Sequence, residues 1–317
     1  MATERTLPDL VSILGLMQGQ PILREDLALA ALTDADLRTL RRTRALERIF
    51  RGAYRTGDRP SYADARYLTT VQAFADTRRR QVDPPVIAGP AAVVLHGLPL
   101  LGTPPRYVHV ARAYTGGRSA RGLGLPVGEV PAAQLTSVAG LRVVCAARAA
   151  LDAARLMSLE AGVAAADAAL ARGLTTPDEL AAVVATLRGC RGAARARRCA
   201  DLADGRSESP GESWSAVVLD RLGIVPPERQ QVFSDATGSI GRVDFWWPEH
   251  RTVGEFDGRV KYGRVNPAGR APEDVLWGEK VREDRLRATG LMVVRWTTPD
   301  LRRPTNLARR LPATLRR

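Results

Sequence analysis

The chain has 317 residues, of which 45% are hydrophobic and 26% charged, a composition typical of a globular protein with two or three domains. No apolar run approaches the length of a membrane span, and three scattered cysteines match no zinc-binding spacing. We therefore expect a cytoplasmic protein with no membrane partner. The formal net charge of +13 favours a polyanion such as nucleic acid as the large partner.

The first 58 residues predict three helices followed by a β-hairpin. Apolar residues recur with helical spacing before Pro21, a second short helix can follow, and Thr33 can cap a third. The hairpin is expected to turn at Arg51–Gly52. This order of elements is that of a winged helix-turn-helix, and we assign it to residues 1–58.

Arginines dominate the third helix and the hairpin. Between Arg38 and Arg55 seven arginines accompany one acidic residue, as phosphate contacts from a recognition helix and wing would require. The alternative is a solvated basic helix in a small structural module. The residues expected to bind DNA here are Arg38, Arg41, Arg42, Arg44 and Arg51.

Residues 59–205 form the predicted middle domain, with mixed helices and strands and no catalytic grouping. Helices are expected over 60–80, 147–171 and 180–202. The last of these is basic and can either hold DNA or dock against an acidic edge of a neighbouring element. The sequence DGRSESPGE (204–212) then supplies Gly, Ser and Pro and predicts a boundary near residue 205.

The capped third helix, the segment RGAYR ending at Arg55 and the run VIAGPAAVVLHGLPLL (86–101) resemble the AbiEi family of type IV antitoxins. This resemblance implies that residues 1–58 bind operator DNA and repress transcription. It also implies that residues 59–205 follow the middle region of longer family members. A cognate nucleotidyltransferase toxin is the partner that this likeness suggests.

The segment 206–317 carries the residues that point to chemistry. A helix is expected from Glu212, strands over 240–246 and 252–257, a helix over 274–289 and a strand over 291–296. Alternation along a strand places Glu255 and Asp257 on one face, with Asp244 opposite them on the neighbouring strand. Three carboxylates so close together need a cation, and Mg²⁺ (or Mn²⁺) is the usual one for phosphate chemistry.

The motifs GRVDFWW, GEFDGRVKY and EKVREDRLRATGLMVVRW resemble the PD-(D/E)XK nucleases, and more narrowly a branch related to very-short-patch-repair endonucleases. The resemblance implies a restriction-endonuclease-like α/β/α core that hydrolyses DNA phosphodiester bonds. Asp244 and Glu255 would be the metal ligands. Asp257 and Glu212 would be supporting ligands or would position water.

Two departures from the family pattern concern the catalytic cation. The superfamily places Lys two residues after the Glu, where this chain has Asp257, and the narrower branch has His six residues after it, where this chain has Lys261. Lys261 and Lys280 are the chain's two lysines, and a Lys is a compact, titratable charge. We expect Lys261 to offset charge on the phosphate, with Lys280 as the alternative and Arg282 and Arg285 as phosphate clamps.

A second hypothesis belongs to the class of binding proteins. In it the C-terminal fold has lost hydrolysis, and the protein is a transcriptional regulator or antitoxin-like repressor. The degenerate nuclease fold would then be a platform for DNA contact or for a homodimer.

Overall fold

The computed structural model describes residues 6–15, 21–50, 52–58, 60–78, 82–111, 124–126, 129–258 and 272–317. These residues form a mixed α/β structure with several sheets. None of the described helices combines the length and the hydropathy that a membrane-crossing segment needs.

The N-terminal part packs three helices and a small antiparallel sheet around a leucine-rich core. The predicted cap of the third helix is confirmed: Thr33 Oγ1 accepts the N–H of Asp36 at 3.2 Å, and Asp36 Oδ2 accepts the N–H of Thr33 at 2.8 Å. The predicted hairpin is also present, although the sheet gains a third strand, giving the order β1-β3-β2. The elements are α1 (Leu7–Gly15), β1 (Ile22–Leu23), α2 (Arg24–Leu29), α3 (Asp34–Arg42), β2 (Glu47–Phe50) and β3 (Ala53–Arg55).

The middle part is mainly helical, and its interior is rich in alanine and valine. Two short two-stranded ladders, β4 with β5 and β6 with β7, lie beside the helices. The elements are α4 (Ala63–Asp76), α5 (Gly89–Leu95), β4 (Val108–Val110), β5 (Gly124–Pro126), β6 (Leu135–Val138), β7 (Leu141–Val144), α6 (Ala146–Leu156), α7 (Leu159–Ala171), α8 (Pro177–Thr186) and α9 (Ala193–Leu202).

The helical region expected over 147–171 consists of two helices, and the single helix expected over 180–202 is wrong because it is also divided in two. In the first, Ser158 Oγ accepts the N–H of Ala161 at 3.2 Å and starts a new helix, α7. In the second, Gly192 takes the left-handed conformation with φ of 81° immediately before α9.

The C-terminal part is a four-stranded sheet with helices on both faces. The order is β11-β10-β9-β8, with β10 and β11 parallel and the other pairs antiparallel. One face packs large apolar side chains with α10, α12 and α13, and the other packs against α11. The elements are α10 (Pro210–Arg221), β8 (Glu228–Asp235), β9 (Gly238–Trp247), β10 (Thr252–Asp257), α11 (Pro272–Ala288), β11 (Met292–Thr297), α12 (Thr298–Arg302) and α13 (Pro304–Arg310).

The middle and C-terminal parts share a buried contact across residue 205. Val217 on α10 belongs to the apolar core of the middle part. Asp167 on α7 is 1% exposed and accepts hydrogen bonds from Ser213 Oγ at 2.7 Å and from the N–H of Asp204 at 2.9 Å. The basic helix α9 docks here too, because Arg198 forms an ion pair with Asp220 on α10.

Candidate active site

The strands β9 and β10 part where the predicted carboxylates begin. Their ladder runs from Thr252 opposite Trp247 to Gly254 opposite Phe245 in the described residues. Beyond this pair the backbone ladder is replaced by a side-chain contact: Oδ2 of Asp244 accepts the N–H of Phe256 at 2.8 Å. The separation leaves room on the α11 side of the sheet for a pocket.

This pocket has a volume of about 200 Å³ and a strongly charged wall. It brings together Asp244, Glu255 and Asp257, the three carboxylates predicted to bind metal, and also Arg282. The remaining wall residues are Glu208, Gln230, Arg242, Phe256, Glu279 and Arg295.

Glu255 is the most buried carboxylate of the pocket wall, with 7% of the residue exposed. Its Oε2 accepts a hydrogen bond from Nε of Arg295 at 3.0 Å, and Nη2 of the same arginine lies 2.9 Å away. Nη2 of Arg282 lies 2.7 Å from Oε1 but donates its hydrogen bond to the carbonyl oxygen of Arg242 at 2.6 Å. Oε1 of Glu255 is thus buried and paired by charge with Arg282, while no hydrogen bond of good geometry reaches it from the described residues.

Arg295 was not predicted from the sequence. It is the register partner of Glu255 on β11, so both side chains emerge on the same face of the sheet. It also lies 3.2 Å from Oε2 of Glu283 and 3.8 Å from Oε2 of Glu279, both on α11. Burial acts to lower the pKa of Arg295, but these carboxylates, above all Glu255, raise it above its ordinary value. An arginine inside the otherwise apolar strand MVVRWT was the available signal.

Glu212 lies behind the pocket wall rather than in it. Its Oε1 accepts the hydroxyl of Ser209 at 2.7 Å, and its Oε2 accepts the N–H of Glu208 at 2.8 Å and Nε2 of Gln230 at 2.9 Å. The carboxylate folds back because Glu212 stands in the first turn of α10, where backbone donors need acceptors. Gln230 connects it to the pocket.

Lys280 and Arg285 do not line the pocket. The helical period turns Glu279 and Arg282 toward the sheet, so Lys280 is exposed, with its Nζ 5.9 Å from the ring centroid of Trp277. Arg285 instead binds both oxygens of Asp235, at 2.9 and 2.7 Å, and holds the turn between β8 and β9. This arginine lowers the pKa of Asp235 well below its ordinary value. Neither position supports the role predicted for these two cations.

The remaining predicted residues lie elsewhere. Lys261 and Arg51 fall outside the residues that the structure describes. Arg38, Arg41 and Arg42 are exposed on α3. Arg44, also exposed, follows that helix with a φ of 61°. These four arginines form a basic surface, which we call the α3 arginine surface.

The donor set of the pocket fits a hard divalent cation, which prefers carboxylate and amide oxygens. Asp244, Glu255 and Asp257 share the wall, and Oε1 of Glu255 is a buried acceptor with a charged neighbour, Arg282, but no hydrogen bond in the described residues. In the described part of the chain no three His, Cys, Asp or Glu side chains already converge as a metal cluster. An ion would compete with Arg282 and Arg295 for Glu255.

No family model matches the chain. Two relatives come from Mycobacterium tuberculosis: "Uncharacterized protein MT2308" of strain CDC 1551 / Oshkosh and "Uncharacterized protein Rv2248" of strain ATCC 25618 / H37Rv. Each is 32% identical to this chain over 196 residues, which are 62% of this chain and 69% of the relative.

Proposed function

Because the chain belongs to the family of these two mycobacterial proteins, whose names state no activity, we propose its function from its own pocket: a metal-dependent endonuclease that hydrolyses DNA phosphodiester bonds. The observation that carries this proposal is that Asp244, Glu255 and Asp257 line one pocket where the β9–β10 ladder ends. The sheet with helices on both faces, and with α11 joining the parallel strands β10 and β11, supports a PD-(D/E)XK-like core for residues 206–317.

We assign different roles in this reaction to the residues of the pocket. Asp244, Glu255 and Asp257 would hold Mg²⁺ or Mn²⁺, which supplies Lewis-acid polarisation of the phosphate. The N–H of Phe256 fixes the carboxylate of Asp244, and Arg295 fixes that of Glu255. Arg282 offers a guanidinium to a phosphate oxygen at the same wall. Lys261 keeps its predicted role as the cation that offsets charge developing on the phosphate.

The N-terminal part would bind DNA and so bring the pocket close to its substrate. Three helices followed by a β-hairpin support the assignment of residues 1–58 as a winged helix-turn-helix. The α3 arginine surface supplies exposed positive charge for the phosphate backbone. Residues 59–205 would connect the two parts as an AbiEi-like middle domain.

A second candidate is a non-catalytic regulator that binds DNA through the same N-terminal part. The ion pairs of Arg282 and Arg295 with Glu255 favour it, because they neutralise the carboxylate without a metal ion. Asp257, at the position where the nuclease family has Lys, favours it as well.

The experiment that separates these candidates is a cleavage assay on the full chain with Mg²⁺ or Mn²⁺ and plasmid, single-stranded or mismatched DNA. Asn at position 244 can still accept the N–H of Phe256, so Asp244→Asn removes the charge while keeping the strand contact. We expect this variant to cleave about 100-fold more slowly or worse. The matched control, Glu249→Gln, changes an exposed carboxylate of the β9–β10 turn and should cleave like wild type.

Equal cleavage by wild type and Asp244→Asn contradicts the proposed catalytic site. A wild-type protein that cleaves none of these substrates, yet gives a specific mobility shift on its own upstream DNA, supports the regulator.

A further inference from the structure

Gln230 has a strained backbone at the pocket wall. Its φ is 58°, in the left-handed region that residues other than glycine rarely adopt. The β8–β9 ladder keeps its register on both sides, with Arg229 opposite Phe245 and Gln231 opposite Val243, so Gln230 sits at the level of Asp244. Strain of this kind persists where the surroundings enforce it, and it is concentrated at functional sites.

The residue that precedes Gln230 is held by buried polar contacts. The side chain of Arg229 is 9% exposed and points away from the pocket, where Nη1 donates to Ser207 Oγ at 2.8 Å. It also lies 3.6 Å from Asp167 Oδ2 and 3.5 Å from Asp204 Oδ2. The buried carboxylate of Asp167, on the middle part of the chain, therefore anchors the residue next to Gln230.

The amide of Gln230 has a defined orientation. A carboxylate accepts hydrogen bonds and cannot donate them, so the atom 2.9 Å from Glu212 Oε2 is the amide nitrogen Nε2. The carbonyl oxygen Oε1 is then the atom of the amide that Glu212 does not engage, and Gln230 lines the pocket together with Asp244 and Glu255. An amide oxygen is an ordinary ligand for a hard divalent cation.

We propose that Gln230 Oε1 is a further oxygen ligand of the divalent ion in this pocket and that Glu212 is the positioning residue that fixes the amide. The inference rests on the proposed metal-dependent function. It gives Glu212 an orienting role in place of the supporting-ligand or water-positioning role predicted from the sequence. This agrees with its position behind the wall and with the three groups that donate hydrogen bonds to its carboxylate.

The test compares Gln230→Gly with Gln231→Gly in the full-length protein. Glycine relieves the strain at position 230 and removes the amide, whereas Gln231 is an exposed ladder residue with no place in the pocket. Titration calorimetry with Mn²⁺ alone should show about tenfold weaker binding for Gln230→Gly and unchanged binding for Gln231→Gly. Without metal, the Tm should be equal to or above that of wild type for Gln230→Gly and below it for Gln231→Gly.

A double-mutant cycle tests the orienting role of Glu212. Glu212→Ala should weaken Mn²⁺ binding in the wild-type background but cause little further loss in the Gln230→Gly background. Both changes remove the same feature, the Gln230 amide held by the Glu212 carboxylate. Additive losses would mean that Glu212 binds the ion by itself, and they overturn its role as a positioning residue.

The outcomes separate the two proposals. A wild-type protein that binds no Mn²⁺ overturns the metal-dependent function and this inference with it. A wild-type protein that binds Mn²⁺ with the same affinity as Gln230→Gly overturns only the ligand role of Gln230. A Tm for Gln230→Gly below that of Gln231→Gly contradicts the strain from which the inference starts.

Discussion

Asp244 replaces a backbone acceptor for Phe256: its Oδ2 receives the N–H of Phe256 at 2.8 Å just beyond the last pair of the β9–β10 ladder. The carboxylate is thus fixed by the sheet itself, and the strand edge is satisfied although the strands have separated. The same contact links the stability of the sheet to the residue proposed to bind metal.

The effect of replacing Asp244 on stability should therefore depend on whether the new side chain can accept the hydrogen bond from the N–H of Phe256. Asp244→Ala leaves the amide of Phe256 without its acceptor and should lower the free energy of unfolding by about 1–3 kcal/mol. Asp244→Asn keeps an acceptor and should cost less. Urea unfolding of both variants measures the difference, and equal losses would mean that the hydrogen bond contributes little.

Arg295 should be essential to the charge balance of the pocket in the absence of metal. Arg295→Met leaves Glu255, Glu279 and Glu283 close together without this cation and should cost about 2–4 kcal/mol. Added Mn²⁺ should raise the Tm of this variant more than that of wild type, because the ion then competes for Glu255 with Arg282 alone. Arg287→Met, which removes an exposed partner of Glu283, is the control and should change both quantities little.

Gly254 is required by the aromatic packing under the sheet. A Cβ at this position would lie 2.5 Å from the ring of Trp296 and 3.0 Å from that of Trp247. Gly254→Ala should therefore destabilise the protein by about 1–3 kcal/mol. Gly278→Ala on α11 meets no described atom within 4 Å and should instead stabilise by about 0.5–1 kcal/mol. Thermal unfolding of the pair measures both signs.

His109 should make the protein sensitive to acid. Burial lowers its pKa from 6.5 to about 4, so the unfolded chain binds this proton at a higher pH than the folded protein does. Its contribution to stability is complete above about pH 7 and is lost as pH falls from 6.5 to 4, by about 3 kcal/mol in total. Unfolding of His109→Leu across this range should show a shallower loss than wild type.

The α3 arginine surface should contribute to DNA affinity through charge. The double variant Arg38→Ala, Arg42→Ala should bind DNA more weakly, and the slope of log K against log salt should fall by about 2 if both residues contact phosphates. The double variant Arg302→Ala, Arg309→Ala removes the same charge near the C-terminus and should leave the slope nearly unchanged. Mobility shifts at several salt concentrations make this comparison, and identical slopes in the two double variants contradict the assignment.

Local patterns were sufficient to predict much of the C-terminal part. Alternation correctly predicted strands that carry Asp244, Glu255 and Asp257, because the side-chain period of two is a property of each strand alone. The division between α6 and α7 was missed, because an alanine-rich stretch has no strong break and Ser158 was not recognised as a cap.

The missed pocket residues depend on tertiary structure. Arg295 meets Glu255 through a parallel pairing across a whole helix, and strand register over such a distance cannot be derived from spacing. Gln230 takes a left-handed conformation with no glycine to indicate it. Lys280, the alternative cation, shows the converse: a rare residue type near a site does not determine the direction of its side chain.

Asp167 and Val217 are buried between the parts of the chain on either side of residue 205. We therefore expect these two parts to unfold together, although the sequence suggests a domain boundary there. A fragment beginning at residue 206 would expose Val217 to water and leave Arg229 without a counter-charge that the rest of the chain supplies. In the full chain the two parts should unfold in one calorimetric transition. A fusion of the C-terminal segment to another protein would need to include α7.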